Sequence, residues 1–203
     1  MKFINRRQAV VELRKIIGKD LRKMAGQYGV TVFKDGKLNK GWAGHTLEHY
    51  LGLGLNSKQA PNGEFWELKL VPLRKRDKTY VPKETMAITM INAQDILGKE
   101  FEQSHLFNKL QSLIICGREF ESKKEKHSIL ISVGTFDLVD KKIKEQVRKD
   151  YELVQNTIRK KGFNYLTGKM GVLVQPRTKG PGHGSESRAF YARTNFVKTL
   201  LGI

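Results

Sequence analysis

Glu67-Leu68-Lys69 is the triplet in this sequence whose residue types and spacing could do chemistry most directly. It lies in an apolar and aromatic run, Glu64 to Leu73, with the content of a β-strand. Side chains on a strand alternate faces, so Glu67 and Lys69 project together from a polar face while Trp66, Leu68 and Leu70 point to a buried one. A carboxylate beside an ammonium is what metal-assisted phosphodiester hydrolysis needs. The carboxylate offers hard oxygen to Mg²⁺, and the lysine orients the attacking water or offsets developing charge. Glu-x-Lys is equally the pattern of a cross-face ion pair worth little. Upstream, Glu48 sits on a short expected helix, and a polar loop with Asn62 and Glu64 leads into the strand, so further oxygen ligands are available.

Other reactive residue types form no comparable set. His45, His49, His105, His127 and His183 are dispersed; His45 and His49 have metal-pair spacing but no third ligand beside them. A single cysteine, Cys116, excludes an intramolecular disulfide framework and a thiolate-rich zinc cluster, and suits a reducing compartment. No Gly-x-x-x-x-Gly-Lys-Ser/Thr phosphate loop is present.

The elements that must carry these residues can be read from periodicity. Val10, Leu13, Ile17, Leu21 and Met24 predict helix over Gln8 to Met24, interrupted near Gly18. Lys34 to Gly41 is a basic loop, and Thr46 to Gly52 a short helix stopped by glycine. Thr85 to Ile91, Leu110 to Cys116, Ser128 to Val133 and Gly171 to Gln175 read as further strands, with a charged turn at Glu119 to Lys126. Ile143, Val147, Tyr151, Val154 and Ile158 share one helical face between Asp140 and Lys161, with Gly162 as the stop. Lys179 to Ser187 is a Gly/Pro-rich loop, and apolar character returns over Arg188 to Ile203. The class is α/β in the broad sense, with a central mixed sheet flanked by helices.

The 203 residues carry 38 Lys+Arg against 20 Asp+Glu, a formal net charge of +18. Such an excess attracts polyanions, with DNA or RNA first among them. A hydrophobic fraction of 39% rules out a wholly disordered basic tail and suits one compact domain or two coupled lobes. No stretch approaches the roughly 20 apolar residues of a membrane span, so a cytoplasmic protein with no membrane partner is expected. The basic residues cluster at Lys34 to Lys40, Arg74 to Lys78, Lys83, Lys123 to Lys126, Arg159 to Lys161 and Arg177 to Arg193. Contacts to backbone phosphates would position a duplex, leaving base edges to specify sequence.

Several runs together resemble one family. They are Ile17-Gly18-Lys19-Asp20-Leu21, Asn39-Lys40-Gly41-Trp42-Ala43-Gly44, Leu47-Glu48-His49-Tyr50-Leu51-Gly52, Asn56-Ser57-Lys58, Glu67-Leu68-Lys69-Leu70-Val71-Pro72, Phe107-Asn108-Lys109-Leu110 and Arg188-Ala189-Phe190-Tyr191-Ala192-Arg193-Thr194-Asn195-Phe196. In this order the chain is similar to the MutH mismatch-repair endonucleases and the related type II restriction endonucleases that cut at GATC. The resemblance implies a PD-(D/E)xK nuclease fold over residues 1–203, two lobes forming a DNA cleft, a catalytic core at about 40–135 and a DNA-reading segment at about 165–203. It implies Glu67 as a metal-binding carboxylate, Lys69 as the catalytic lysine and Glu48 as a supporting acid, with Mg²⁺ as cofactor.

The same resemblance puts Lys109 near the scissile phosphate, where an ordinary phosphate-contacting or solvated lysine is the plainer alternative. Tyr191 is implied to lie near the methylatable adenine, with packing of its ring as the alternative. Gln175-Pro176-Arg177 falls where relatives carry an Arg-Pro-Lys run that enters the major groove, in a different residue order. Lys40, Lys179, His183, Arg188 and Arg193 complete the expected DNA contacts. Double-stranded DNA is the implied partner, bound by a monomer or a homodimer.

The family's first metal-binding aspartate falls at Asn62, whose neutral carbonyl adds no charge to a cation site. An engineered inactive variant, a natural degenerate nuclease, and a shifted ligand with Glu64 taking over are the competing explanations. The first is favoured because the rest of the constellation is present. The expected activity is that of a type II restriction enzyme cutting duplex DNA at a GATC-type site. The alternatives are a mismatch-repair nicking endonuclease served by a MutL-type partner, and a non-catalytic DNA-binding module.

Overall fold

A computed structural model describes residues 5–53, 66–122, 124, 126–179 and 187–203. The architecture is mixed α/β, as expected, with a four-stranded mixed sheet accompanied by a three-stranded antiparallel one. Two compact units interleave along the sequence: residues 1–83, 113–136 and 200–203 form the first, and residues 84–112 and 137–199 the second. The expected catalytic core at 40–135 therefore draws on both.

In the first unit, α1 (Arg6–Lys15) and α2 (Leu21–Gln27) replace the interrupted helix of the sequence reading. Asn5 caps α1 in a capping box with Gln8, and Gly18 makes the break at φ +83, a conformation that suits glycine. The basic loop is a small hairpin of β1 (Phe33–Lys34) and β2 (Lys37–Leu38), turned by Asp35 and Gly36 at positive φ. Helix α3 (Trp42–Tyr50) follows, starting earlier than its apolar pattern indicated.

The four-stranded sheet has the order β4 (Thr79–Pro82), β3 (Glu67–Arg76), β6 (Ser112–Glu119), β7 (Leu130–Asp137). Strand β3 runs antiparallel to β4 and parallel to β6, with Glu67 opposite Leu113 and Lys69 opposite Ile115. Its Trp66 and Leu68 enter the core formed with Leu13, Leu21, Trp42, Leu47, Ile114 and Leu130. The guanidinium of Arg6 ties α1 to the sheet through the carbonyls of Leu113 (2.8 Å) and Phe136 (3.1 Å).

In the second unit, β5 (Met86–Ile91), β9 (Arg188–Ala192) and β8 (Val174–Thr178) form an antiparallel sheet in that order. Short helices α4 (Ala93–Gly98) and α5 (His105–Leu110) are capped by Asn92 and Ser104. The long α6 (Lys141–Lys161) starts on Asp140, which accepts from the amides of Lys142 and Ile143, and ends at Gly162 with φ +98. Its buried face holds Val147, Tyr151, Val154 and Ile158 as expected, together with Asp150 and Gln155. Helix α7 (Thr194–Leu201) follows β9. No helix among the described residues is long and apolar enough to cross a membrane.

Candidate active site

Strand β3 places Glu67 and Lys69 on one face, and their side chains meet: Lys69 Nζ lies 2.8 Å from Glu67 Oε1. The face is not polar in the sense the alternation suggested. Glu67 is 4% exposed, and Val71 and Leu73 on the same side are buried at 2% and 1%. Strand β3 is an inner strand, flanked by β6 along Glu67–Leu73 and by β4 along Leu73–Arg76, and buried side chains occur on both of its faces, as in a sheet packed on two sides. A buried carboxylate and a half-buried ammonium are thus held against each other at the start of the strand. In a low-dielectric setting they interact far more strongly than an exposed pair would.

Glu48 stands half-buried in the last turn of α3, which packs on β3. Its carbonyl accepts from the amide of Leu53 at 2.9 Å, fixing the chain as it leaves the helix. Lys40 is exposed just before α3, beside Asn39, whose side chain holds Gly41 N at 3.2 Å and Thr31 O at 2.9 Å. Asn62 and Glu64 lie outside the described residues, as does His183. No group of three His, Cys, Asp or Glu side chains among the described residues forms a metal cluster. Glu67 and Glu48 are nevertheless hard oxygen donors, the chemistry a Mg²⁺ site draws on.

The second unit collects the remaining sequence-derived residues. Lys109 is 7% exposed on α5, so the solvated-lysine alternative does not describe it. On the hairpin of β8 and β9, Gln175 pairs with Tyr191 and Arg177 with Ala189, which puts Gln175, Arg177 and Tyr191 on one face. The guanidinium of Arg177 lies 5.7 Å from the centre of the Tyr191 ring and donates to Thr85 Oγ1 at 2.8 Å. Burial holds the Tyr191 phenol above its ordinary pKa, with the Arg177 charge pulling the other way. Lys179 is exposed and Arg188 half-buried at the far end of the hairpin, where Lys179 N donates to Ser187 O at 2.9 Å.

Arg193 differs from its neighbours. Its Nε donates to Gly171 O at 3.0 Å, and one terminal nitrogen donates to Gly168 O at 3.1 Å and Met170 O at 3.0 Å. Asp150 was missed in the sequence. It is 2% exposed and accepts from the amides of Val172 (2.8 Å), Leu173 (2.7 Å) and Val174 (2.8 Å), as well as from Gln146 Nε2 at 3.0 Å. The available signal was its place at an apolar position of the α6 stripe, between Val147 and Val154.

Comparison with known proteins places the chain. The family model described as the DNA mismatch repair enzyme MutH matches residues 51–150. The DNA mismatch repair protein MutH of Klebsiella pneumoniae (strain 342) is 27% identical, over 96% of this chain and 90% of that one. The protein of that name from Shewanella sp. (strain MR-4) is 29% identical over 91% and 88%, and that of Vibrio cholerae (strain O395) 25% identical over 95% and 87%. Among solved structures, the restriction endonuclease MvaI in complex with its cognate DNA aligns over 95% of both chains with 12% identity and a TM-score of 0.39. The chain is thus similar to the MutH family model across residues 51–150 and to DNA mismatch repair proteins MutH along nearly its whole length.

Proposed function

We propose that the protein is a Mg²⁺-dependent endonuclease that hydrolyses phosphodiester bonds in duplex DNA at a GATC-type site. The observation that carries this reading is the Glu67–Lys69 pair, 2.8 Å apart at the buried start of β3, with Glu48 on the helix packed against that strand. Glu67, Glu48 and an acid at position 62 would hold the metal, which supplies Lewis-acid polarisation of a phosphoryl oxygen when bound. Lys69, fixed by Glu67, donates a hydrogen bond to the attacking water or to the charge that develops on the phosphate. Arg177 and Tyr191 present polar groups to base edges, with Gln175 beside them on the same face but buried at 5% exposed, while Lys40, Lys179 and Arg188 supply charge for the backbone and Lys109, 7% exposed, acts from within its unit.

A stand-alone restriction enzyme accords with the charge of +18, which favours DNA binding without a partner. The second reading is a nicking endonuclease that acts with a MutL-type partner. It is favoured by the names of the relatives, which are DNA mismatch repair proteins.

The test is a strand-resolved cleavage assay with Mg²⁺ on methylated, hemimethylated and unmethylated DNA, for the protein and for its Asn62→Asp form. Asn62→Asp is expected to raise cleavage by at least about 10²-fold, as restoring an anionic ligand to a cation site should. Cuts in both strands without a partner support restriction; nicking of only the unmethylated strand, stimulated by a MutL-type protein, supports repair. Equal cleavage by both forms would move the ligand role to Glu64. Tight specific binding with no cleavage by either form would replace the nuclease reading with a DNA-binding module.

A further inference from the structure

The turn that leads into β8 is held from both sides by two charged side chains that face backbone and not each other. On one side, the Asp150 carboxylate receives the amides of Val172, Leu173 and Val174. On the other, the Arg193 guanidinium takes the carbonyls of Gly168, Met170 and Gly171. The backbone adds Arg193 N to Leu173 O at 2.9 Å. Gly171 between them has φ +74, and a Cβ there would fall 1.9 Å from Val174 O, so the turn admits one conformation.

This turn also lies beside the reading side chains. Gly168 faces both side chains: an added Cβ there would come to 3.5 Å from Arg177 Cγ and 3.8 Å from Gln175 Oε1. A displacement of Gly168 towards them would therefore press on Gln175 and Arg177.

We infer that Asp150 and Arg193 are a pair of positioning residues that fix Gln175 and Arg177 for sequence discrimination, and that Arg193 does not serve as a phosphate contact. The inference rests on the reading of the β8–β9 hairpin as the base-reading element. Asp150→Asn replaces one acceptor oxygen by a donor that opposes backbone amides. Arg193→Lys keeps the charge but loses the planar fork that spans three carbonyls.

The test uses the full chain and two duplexes, one with a GATC site and one with that site scrambled, by equilibrium binding over a KCl series. Amide hydrogen exchange is followed in parallel. Asp150→Asn is expected to lower the ratio of GATC to scrambled affinity by at least about tenfold, with scrambled affinity within about twofold of native. Exchange should quicken at Val172 to Val174 while α6 stays protected. Arg193→Lys should lower the ratio as far as Arg193→Ala does, with the salt slope unchanged in both. An Arg193→Lys protein that behaves as native, beside an Arg193→Ala protein whose salt slope falls by about one, would overturn the inference in favour of a phosphate contact. So would an Asp150→Asn protein that loses protection throughout the second unit and loses both affinities together. A native protein that binds the two duplexes equally would sink the hairpin reading and the inference with it. Native discrimination that survives both Asp150→Asn and Arg193→Lys would sink the inference alone.

Discussion

Lys69→Met tests whether the pair on β3 is a strongly coupled ion pair, and it does so without relying on cleavage. The substitution removes an ammonium 2.8 Å from Glu67 Oε1, and the two side chains differ in reach to solvent: 19% exposed for Lys69, 5% for Glu67. Breaking a buried pair by deleting one partner costs about 3–5 kcal/mol, because the survivor's charge keeps its desolvation penalty. The carboxylate is the survivor here, so a loss near about 3 kcal/mol is expected. Glu67→Gln leaves the better-hydrated partner and an amide oxygen that still accepts from it, so about 1 kcal/mol is expected. The double variant leaves no charge at either position and should cost about as much as Glu67→Gln, giving a coupling of about 2–3 kcal/mol. At about 2–4 °C per kcal/mol for a chain of this size, Tm falls by about 6–12 °C for Lys69→Met and about 2–4 °C for Glu67→Gln. Urea and thermal unfolding of the four proteins completes the cycle. A coupling below about 0.5 kcal/mol, or a Glu67→Gln loss exceeding that of Lys69→Met, would refute the argument from burial. In the Asn62→Asp form, Lys69→Met should also lower cleavage by about 10²–10³-fold, the scale of losing one preorganised donor.

Asp20 links acid stability to a single carboxylate. Burial works to raise its pKa, but hydrogen bonds from the Ser128 amide, His127 and the Arg22 amide outweigh it and hold the group below its ordinary value. Its contribution is therefore present above the unfolded carboxylate value and lost as pH falls through the folded one, so Asp20→Asn should flatten the fall in urea midpoint below about pH 5; parallel curves would contradict this. Gly171→Ala should cost more than about 2 kcal/mol in thermal unfolding, since φ is +74 and Val174 O is 1.9 Å from the added Cβ; a loss under about 0.5 kcal/mol would mean the turn can re-form. Cys116 is buried in β6 and its thiol is pushed up to about 12 by that burial, so it should resist disulfide reagents in the native protein and react in denaturant; rapid native labelling would show that β6 opens.

Helix α6 was legible because its signals are local: five apolar residues at helical spacing and a glycine stop, each found where expected, to which the structure adds Asp140 as the cap. Residues 93–110 were not, since α4 and α5 are too short to show a period and depend on the caps Asn92 and Ser104. Strand β8 begins at Val174, three residues after the expected start at Gly171, because Gly171 to Leu173 form the turn that Asp150 and Arg193 hold. The apolar character of those residues serves a turn anchored on α6, and hydropathy does not distinguish that from a ladder.

The two charged pairs show why one site could be read in the sequence and the other could not. Glu67 and Lys69 are two apart on one strand, so alternation brings their side chains together before any tertiary contact is known. Even there the burial was missed, because it depends on β3 being an inner strand of a sheet packed on both faces, which local pattern does not encode. Asp150 and Arg193 lie on different elements, and their targets are amides and carbonyls that carry no residue signature. A charged residue that binds another side chain leaves a trace at both ends; one that binds backbone leaves a trace only at its own position. Asp150 left such a trace, a carboxylate at an apolar position of α6, and a carboxylate there must either find donors or cost several kcal/mol (roughly, by desolvation alone). An acid on the buried stripe of an otherwise regular amphipathic helix is therefore the sequence signal for a backbone clamp, and in this chain the segment it clamps leads directly into Gln175 and Arg177.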